Sequence, residues 1–233
     1  MIYSFKTETP VICLTLDDGG DKKSVERALK ILKQNNVKCI FFVIGKYLKL
    51  YPDLWRSAFE DGHQICNHTQ NHKWLSELNN DEIRKEISQW EDSAKAVLGE
   101  KYVKKMKREF PYLRLPGSAG SKSKRVLGVV QEMGYTVIGW DVETYYAILR
   151  HYNLQTEPSE PIAQKVSEHV IKRAKSGSII LLHFNPYDTL KLEDTINGFF
   201  KKGLEIRLLS DINYQDTYDK GTSSNIPFYH ELF

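Results

Sequence analysis

Val11-Ile12-Cys13-Leu14-Thr15-Leu16-Asp17-Asp18-Gly19-Gly20 decides how this chain is read. Six apolar or β-branched residues make a buried-strand pattern that stops at two carboxylates and two glycines. Both carboxylates therefore stand at the carboxyl end of a strand, where barrel enzymes carry their sites. Successive strand side chains point to opposite faces, so the two can serve one site only where the backbone turns, and the glycines permit a turn. Taken alone, the segment reads equally well as an Asp-Gly turn that caps a helix.

Outward from it, short runs rich in β-branched and aromatic residues alternate with helical periodicity, as expected of βα units around a parallel sheet. The strands are read at Val11–Leu16, Cys39–Val43, Gln64–Cys66, Tyr112–Arg114, Thr136–Trp140, Ser178–Leu182 and Glu205–Leu208. The clearest helix is Asn80–Leu98, with Asn79 or Asn80 as cap, Gly99 at its end, and Ile83, Ile87, Trp90, Ala94 and Val97 as one apolar stripe. Lys22–Asn35, Ser121–Met133 and Glu160–Ala174 have the same character. Strands and helices in this alternation suggest a closed or nearly closed α/β barrel spanning residues 1–212. From Asn213 to Phe233 the composition shifts to Tyr, Asp, Ser, Thr and Gly without periodicity, which reads as a tail lying on the barrel or left mobile.

A chain of 233 residues, 41% hydrophobic and 27% charged, has the size and balance of one globular domain. Lys+Arg 33 against Asp+Glu 30 leaves a formal charge of only +3, which gives no argument for a nucleic-acid or membrane-surface partner. The one local basic run, Lys101 to Arg108, reads as a solvated segment. Cys13, Cys39 and Cys66 are odd in number and sit in apolar stretches, so they read as buried thiols rather than a disulfide framework. No segment approaches the ~20 apolar residues of a membrane span, and residues 1–16 lack the pattern of an export signal.

Chemistry gathers at the predicted strand ends. Asn67-His68-Thr69-Gln70-Asn71-His72 follows a short strand and opens on the same rim as Asp17 and Asp18. Histidines four apart share a face on one helical turn and can converge on one ion. Two imidazoles joined by a carboxylate from another strand leave open positions for water and substrate, as a catalytic metal needs. Ile179-Ile180-Leu181-Leu182-His183 is an apolar strand whose first polar residue is again a histidine at the carboxyl end; a satisfied core or loop histidine is the bland alternative. Arg114, before Leu115-Pro116-Gly117, and the Trp140-Asp141-Val142-Glu143 strand end complete a ring of charged and aromatic groups. Asp141 and Glu143 share a strand face, and either could pair with Arg114.

Across residues 11 to 210 these segments resemble the polysaccharide deacetylases of carbohydrate esterase family four, the chitooligosaccharide-deacetylase homology domain. Thr15-Leu16-Asp17-Asp18-Gly19 is similar to that family's Thr-Phe-Asp-Asp-Gly motif, and Asp61-Gly62-His63-Gln64-Ile65-Cys66-Asn67-His68-Thr69-Gln70-Asn71-His72 to its Asp-Gly-His-Glu-Ile-Gly-Asn-His-Thr-x-x-His motif. Phe41-Phe42-Val43-Ile44-Gly45 between them also fits. The resemblance implies a distorted (β/α)7 TIM-like barrel with Asp17 as general base and Asp18, His68 and His72 as metal ligands. It implies one divalent ion, zinc by default, with cobalt, manganese or nickel as alternatives. Leu181-Leu182-His183 resembles the family's Leu-x-His, implying a methyl pocket at Leu181 and a general acid at His183. Arg114-Leu115-Pro116-Gly117 resembles Arg-x-Pro-Tyr, implying an arginine that holds the base and a backbone N–H at Gly117 for the oxyanion. Glycine in place of tyrosine keeps that donor but loses an aromatic wall. The family's Asp-x-x-Asp-Trp has only an approximate counterpart around Trp140, Asp141 and Glu143, and its tryptophan has no clear equivalent.

The implied activity is hydrolysis of N-acetyl groups on an acetylated glycan, chitin-like or peptidoglycan, in an extracellular or cell-surface setting if a leader has been removed. Three other readings share parts of the pattern. They are a hydrolase of another small or cyclic amide on the same barrel, a catalytically silent glycan-binding protein that keeps its metal, and a non-haem iron oxygenase with the same two-histidine, one-carboxylate set. Retention of Asp17 and His183 argues against the second, and the βα pattern against the third.

Overall fold

A strand as apolar as Val11–Asp18 (β1) must be covered on both faces and paired on both edges, and it lies inside the sheet with strands on either side. The computed structural model describes residues 1–212, so the expected tail, 213–233, lies outside the described residues. On one side of β1 come Ile40–Val43 (β2), Gln64–Asn67 (β3), Tyr112–Leu113 (β4) and Thr136–Val137 (β5), each parallel to the last. On the other side Ile179–His183 (β6) pairs with Cys13–Asp17, while Glu205–Ile206 (β7) takes the first two residues of β1. The register sets Asp17 opposite both Phe42 and His183, which fixes the height of the rim.

Between β5 and β6 the curled sheet has a seam. Among the described residues, isolated bridges rather than a ladder cross it, from Ile2 to Ile138, Ser4 to Ser178 and Val142 to Ile180. The seam explains why the strand expected at Thr136–Trp140 is cut to two residues: beyond Ile138 the chain divides its hydrogen bonds between the amino-terminal segment and β6. The arrangement is the distorted (β/α)7 barrel expected of the sequence, with closure by bridges rather than by a ladder.

The helices lie outside the sheet, in the order Lys22–Gln34 (α1), Gly45–Leu50 (α2), Pro52–Glu60 (α3), Asn80–Leu98 (α4), Glu100–Glu109 (α5), Lys124–Glu132 (α6), Ser159–Arg173 (α7), Pro186–Thr189 (α8) and Leu192–Lys201 (α9). Asn79 caps α4 through a reciprocal capping box with Glu82, and Gly99 ends it with φ 90°. Every residue of its predicted stripe is buried. Trp90 goes deepest, donating its indole N–H to the Val43 carbonyl at 2.6 Å. Truncating so large a core side chain to alanine typically costs about 3–5 kcal/mol. The basic run from Lys101 folds as α5, with Lys104, Lys105 and Arg108 paired to Glu100 and Glu109 on a solvated face. All three cysteines are buried and free.

Candidate active site

Asp17 and Asp18 follow one another on β1, so a regular strand would aim them at opposite faces. The turn that reunites them lies at Asp18 itself, whose φ of 78° puts a non-glycine residue in left-handed conformation, followed by Gly19 at 92°. Such a residue typically carries strain of ~1–3 kcal/mol and persists where its surroundings hold it. The expectation that His68 and His72 share a helical turn is corrected here, because residues 68–72 form no helix. Left-handed Thr69 and His72, with φ of 64° and 62°, bend this loop until both imidazoles face Asp18.

The result is a compact ligand set. Nε2 of His68 lies 3.5 Å, and Nε2 of His72 3.6 Å, from Oδ1 of Asp18. These three side chains can bring one ligand atom each within 4.8 Å of one another. Tetrahedral coordination with bonds of ~2.0–2.1 Å separates neighbouring ligand atoms by ~3.4 Å, close to both spacings. Oδ1 of Asp18 is buried with no hydrogen-bond partner, an acceptor in want of a cation. Nδ1 of His68 meets the Arg114 carbonyl at 2.9 Å; a carbonyl only accepts, so Nδ1 carries the proton and Nε2 faces the carboxylates. Burial, reinforced by the charge of His68, pulls His72 down to about 4, so it is neutral at pH 7. Burial pushes the Asp18 carboxyl up, but the neighbouring imidazoles of His68, His183 and His72 outweigh it and hold the group below its usual range. A neutral imidazole and an ionised carboxylate are what a divalent ion requires. The residues present fit such an ion.

Asp17 is held differently. Arg114, wholly buried, donates from Nη1 to Asp17 Oδ1 and to Thr15 Oγ1, both at 2.7 Å, from Nε to the Ile138 carbonyl and from Nη2 to the Gly139 carbonyl. The guanidinium carbon lies 4.2 and 5.4 Å from the ring centroids of Phe42 and Trp140. Oδ2 of Asp17 lies 3.7 Å from Nε2 of His68, beside the ligand set.

Across β1 stands His183. Its Nδ1 is 3.4 Å from Oδ2 of Asp188, which also accepts the His183 backbone N–H at 2.8 Å and a hydrogen bond from Asn185. Burial disfavours the charged imidazole, but the Asp188 contact and the carboxylates of Asp18, Asp188 and Asp17 outweigh it and raise His183 to about 9. A histidine so placed holds a proton at neutral pH.

One further expectation needs correction. Neither Asp141 nor Glu143 pairs with Arg114: Asp141 accepts from Ser178 Oγ and the Ile179 N–H, and Glu143 from the Tyr146 and Ala147 N–H groups. The seam turns this segment towards β6 before either carboxylate reaches the arginine. Trp140 is buried, with its ring 5.4 Å from the Arg114 guanidinium. Leu181 is buried in β6, two residues before His183 on the same strand face, and Gly117 sits in a left-handed turn at φ 53° just beyond Arg114.

Sequence reasoning missed Asp188, Thr15 and Glu86. Asp188 hides in an ordinary helix start, Asn185-Pro186-Tyr187-Asp188. Glu86 left a clearer signal, since it interrupts the apolar face of α4 between Ile83 and Trp90. Its two oxygens take the backbone and side-chain N–H groups of Asn71 at 2.8 Å each, pinning the loop that carries His72.

Known proteins share this architecture. The polysaccharide deacetylase family model matches residues 5–138. A peptidoglycan-N-acetylglucosamine deacetylase of Bacillus cereus is 30% identical over 173 residues, 74% of this chain and 72% of that protein. A peptidoglycan-N-acetylmuramic acid deacetylase of Bacillus subtilis is 28% identical over 214 residues, 91% of this chain and 75% of that one. Among solved structures, the Bc1960 peptidoglycan N-acetylglucosamine deacetylase superposes with a TM-score of 0.73 at 25% identity, covering 89% of this chain and 90% of its own. By profile, sequence and fold, the chain belongs to the polysaccharide deacetylase family.

Proposed function

We propose that Asp17, Asp18, His68, His72, Arg114 and His183 carry out metal-dependent hydrolysis of N-acetyl groups on an amino-sugar glycan. The carrying observation is the convergence of one carboxylate and two imidazoles on a point beside a second, arginine-held carboxylate, with a histidine paired to the buried Asp188 on the neighbouring strand. Peptidoglycan is the first substrate to test, because the Bacillus relatives carry that name. Zinc suits the two-histidine, one-carboxylate donor set with open positions.

A divalent ion held by Asp18, His68 and His72 would supply Lewis acidity and make water nucleophilic near neutral pH. Asp17, its second oxygen free of Arg114, takes the proton of the attacking water. Arg114 fixes the direction of that carboxylate and supplies its counter-charge, because a buried carboxylate without its partner would be strongly disfavoured. The Gly117 N–H is the chain's own donor for the developing oxyanion, a contact typically worth about 2.7–4 kcal/mol. Leu181 packs against the acetyl methyl. His183, held by Asp188, delivers its proton to the leaving amine.

The test is acetate release from N-acetylglucosamine oligomers and from purified peptidoglycan, with chelator and with metal added back. Release that stops on chelation and returns with zinc supports the reading. Release indifferent to chelator, or confined to small non-sugar amides, contradicts it.

A further inference from the structure

We propose, taking Asp18, His68 and His72 as the ligands of the proposed function, that Glu86 of α4 is a positioning residue that sets the affinity of the site for its ion. It acts through Asn71 on His72, and its effect falls on ion binding rather than on the stability of the fold.

The two imidazoles are aimed by different means. The His68 ring is fixed by its own contact with the Arg114 carbonyl. The His72 ring lies edge-on to His68 and approaches Asp18, but among the described residues no hydrogen bond holds it. Its direction is therefore set by the backbone that carries it. That backbone is left-handed, with φ of 62°, a conformation that persists where its surroundings impose it.

The constraint comes from both sides of the loop. From α2, Gly45 and Lys46 donate to the Thr69 and Gln70 carbonyls at 2.9 and 3.1 Å, and reach no farther along the chain. From α4, the Glu86 carbonyl accepts the Gln70 N–H at 3.0 Å, and its two side-chain oxygens take the backbone and side-chain N–H groups of Asn71. Among the described residues, Glu86 alone bonds Asn71, the residue next to the ligand.

The choice of a carboxylate matters. Two donors face Glu86 at once, and a carboxylate accepts both because neither oxygen is a donor; a glutamine accepts one and turns its own N–H₂ on the other. Glu86 is 4% exposed, and among the described residues it forms no salt bridge. A buried charge without a counter-charge is costly. A divalent ion at His72 would supply positive charge beside it, so this cost is offset most when the ion is bound. In the ion-free protein, Glu86→Gln loses a hydrogen bond but also relieves an uncompensated charge, and the two changes oppose each other.

The experiment compares the full-length wild type with Glu86→Gln, metal-free and with zinc added, by chelator competition and by denaturant titration. The expected result is zinc affinity lower by about 10–100-fold, the usual cost of losing a residue that orients a metal ligand. The stabilisation gained on adding zinc should shrink to match, while the metal-free midpoint stays near that of the wild type. Asn71→Ala, at an exposed position, removes one of the two donors and should lower zinc affinity in the same direction by less. With both changes the loss should be smaller than the sum, because they break one shared contact. Wild-type zinc affinity in folded Glu86→Gln, or in Asn71→Ala should the first variant not fold, would overturn the proposal. So would an equal loss of stability with and without zinc, the mark of a merely structural residue. A wild type that takes up no zinc overturns the proposed function as well, whereas a zinc-binding wild type matched by its variants overturns the role of Glu86 alone.

Discussion

The carboxyl ends of β1 and β3 and those of β5 and β6 meet at one mouth but are held by different means. On the first side the partners are remote in sequence: Arg114 reaches Asp17 across 97 residues, and Glu86 pins the His72 loop from a helix. On the second side the partners are local. His183 is held by Asp188, five residues on, and Glu143 binds N–H groups three and four residues ahead. The ion side is thus tied to the whole barrel, whereas the proton side rests on its own loops.

If that contrast is right, perturbing the ion side should have the larger consequences. Asp18→Ala should lose both the ion and turnover, checked by metal analysis alongside acetate release; an active, metal-replete variant would erase the distinction between the adjacent carboxylates. Asp17→Asn should keep the ion and lose turnover by roughly 10²–10⁴-fold, the usual worth of a positioned general base. Arg114→Met should destabilise the fold by about 3–5 kcal/mol in denaturant titration, because it strands a buried carboxylate.

On the proton side the expected effects are smaller and pH-dependent. The pKa of His183 in the fold is about 9 against an ordinary 6.5, so its contribution to stability is complete below 6.5 and fades as pH rises through 9. An ion at Asp18 offsets one of the carboxylates that raise it, so the alkaline limb of activity in the metal-loaded enzyme should lie below that of the ion-free imidazole. Asp188→Asn should move this limb further towards acid with little change in metal content. A pH profile of kcat/KM that superposes on the wild type would remove Asp188 from its role. Glu143→Gln should cost least, about 0.5–1.5 kcal/mol in thermal unfolding, since an acceptor for one of its two N–H groups survives.

The same contrast explains what the sequence made legible. β1 and α4 could be read closely because each satisfies a local rule, an apolar run ended by glycines and a capped stripe of 3.6-residue period. Asp18, His68 and His72 could be singled out as a set, but not the way they meet. Left-handed backbone at Asp18, Thr69 and His72 brings them together, and non-glycine residues give little sign of it in sequence. The two-residue strands β4, β5 and β7 were expected longer because composition does not show where a neighbour stops pairing. Asp141 and Glu143 were matched to Arg114 by strand alternation, which fails where the chain leaves the ladder at the seam.

That seam has a consequence for how the molecule tolerates change. Residues 143–158 pass from the Val142 bridge to α7 without contributing a ladder strand, so length added there need not shift the register of β1, β2 or β3. A lineage could lengthen or trim this stretch, reshaping the approach to His183, while the ion-binding residues kept their positions.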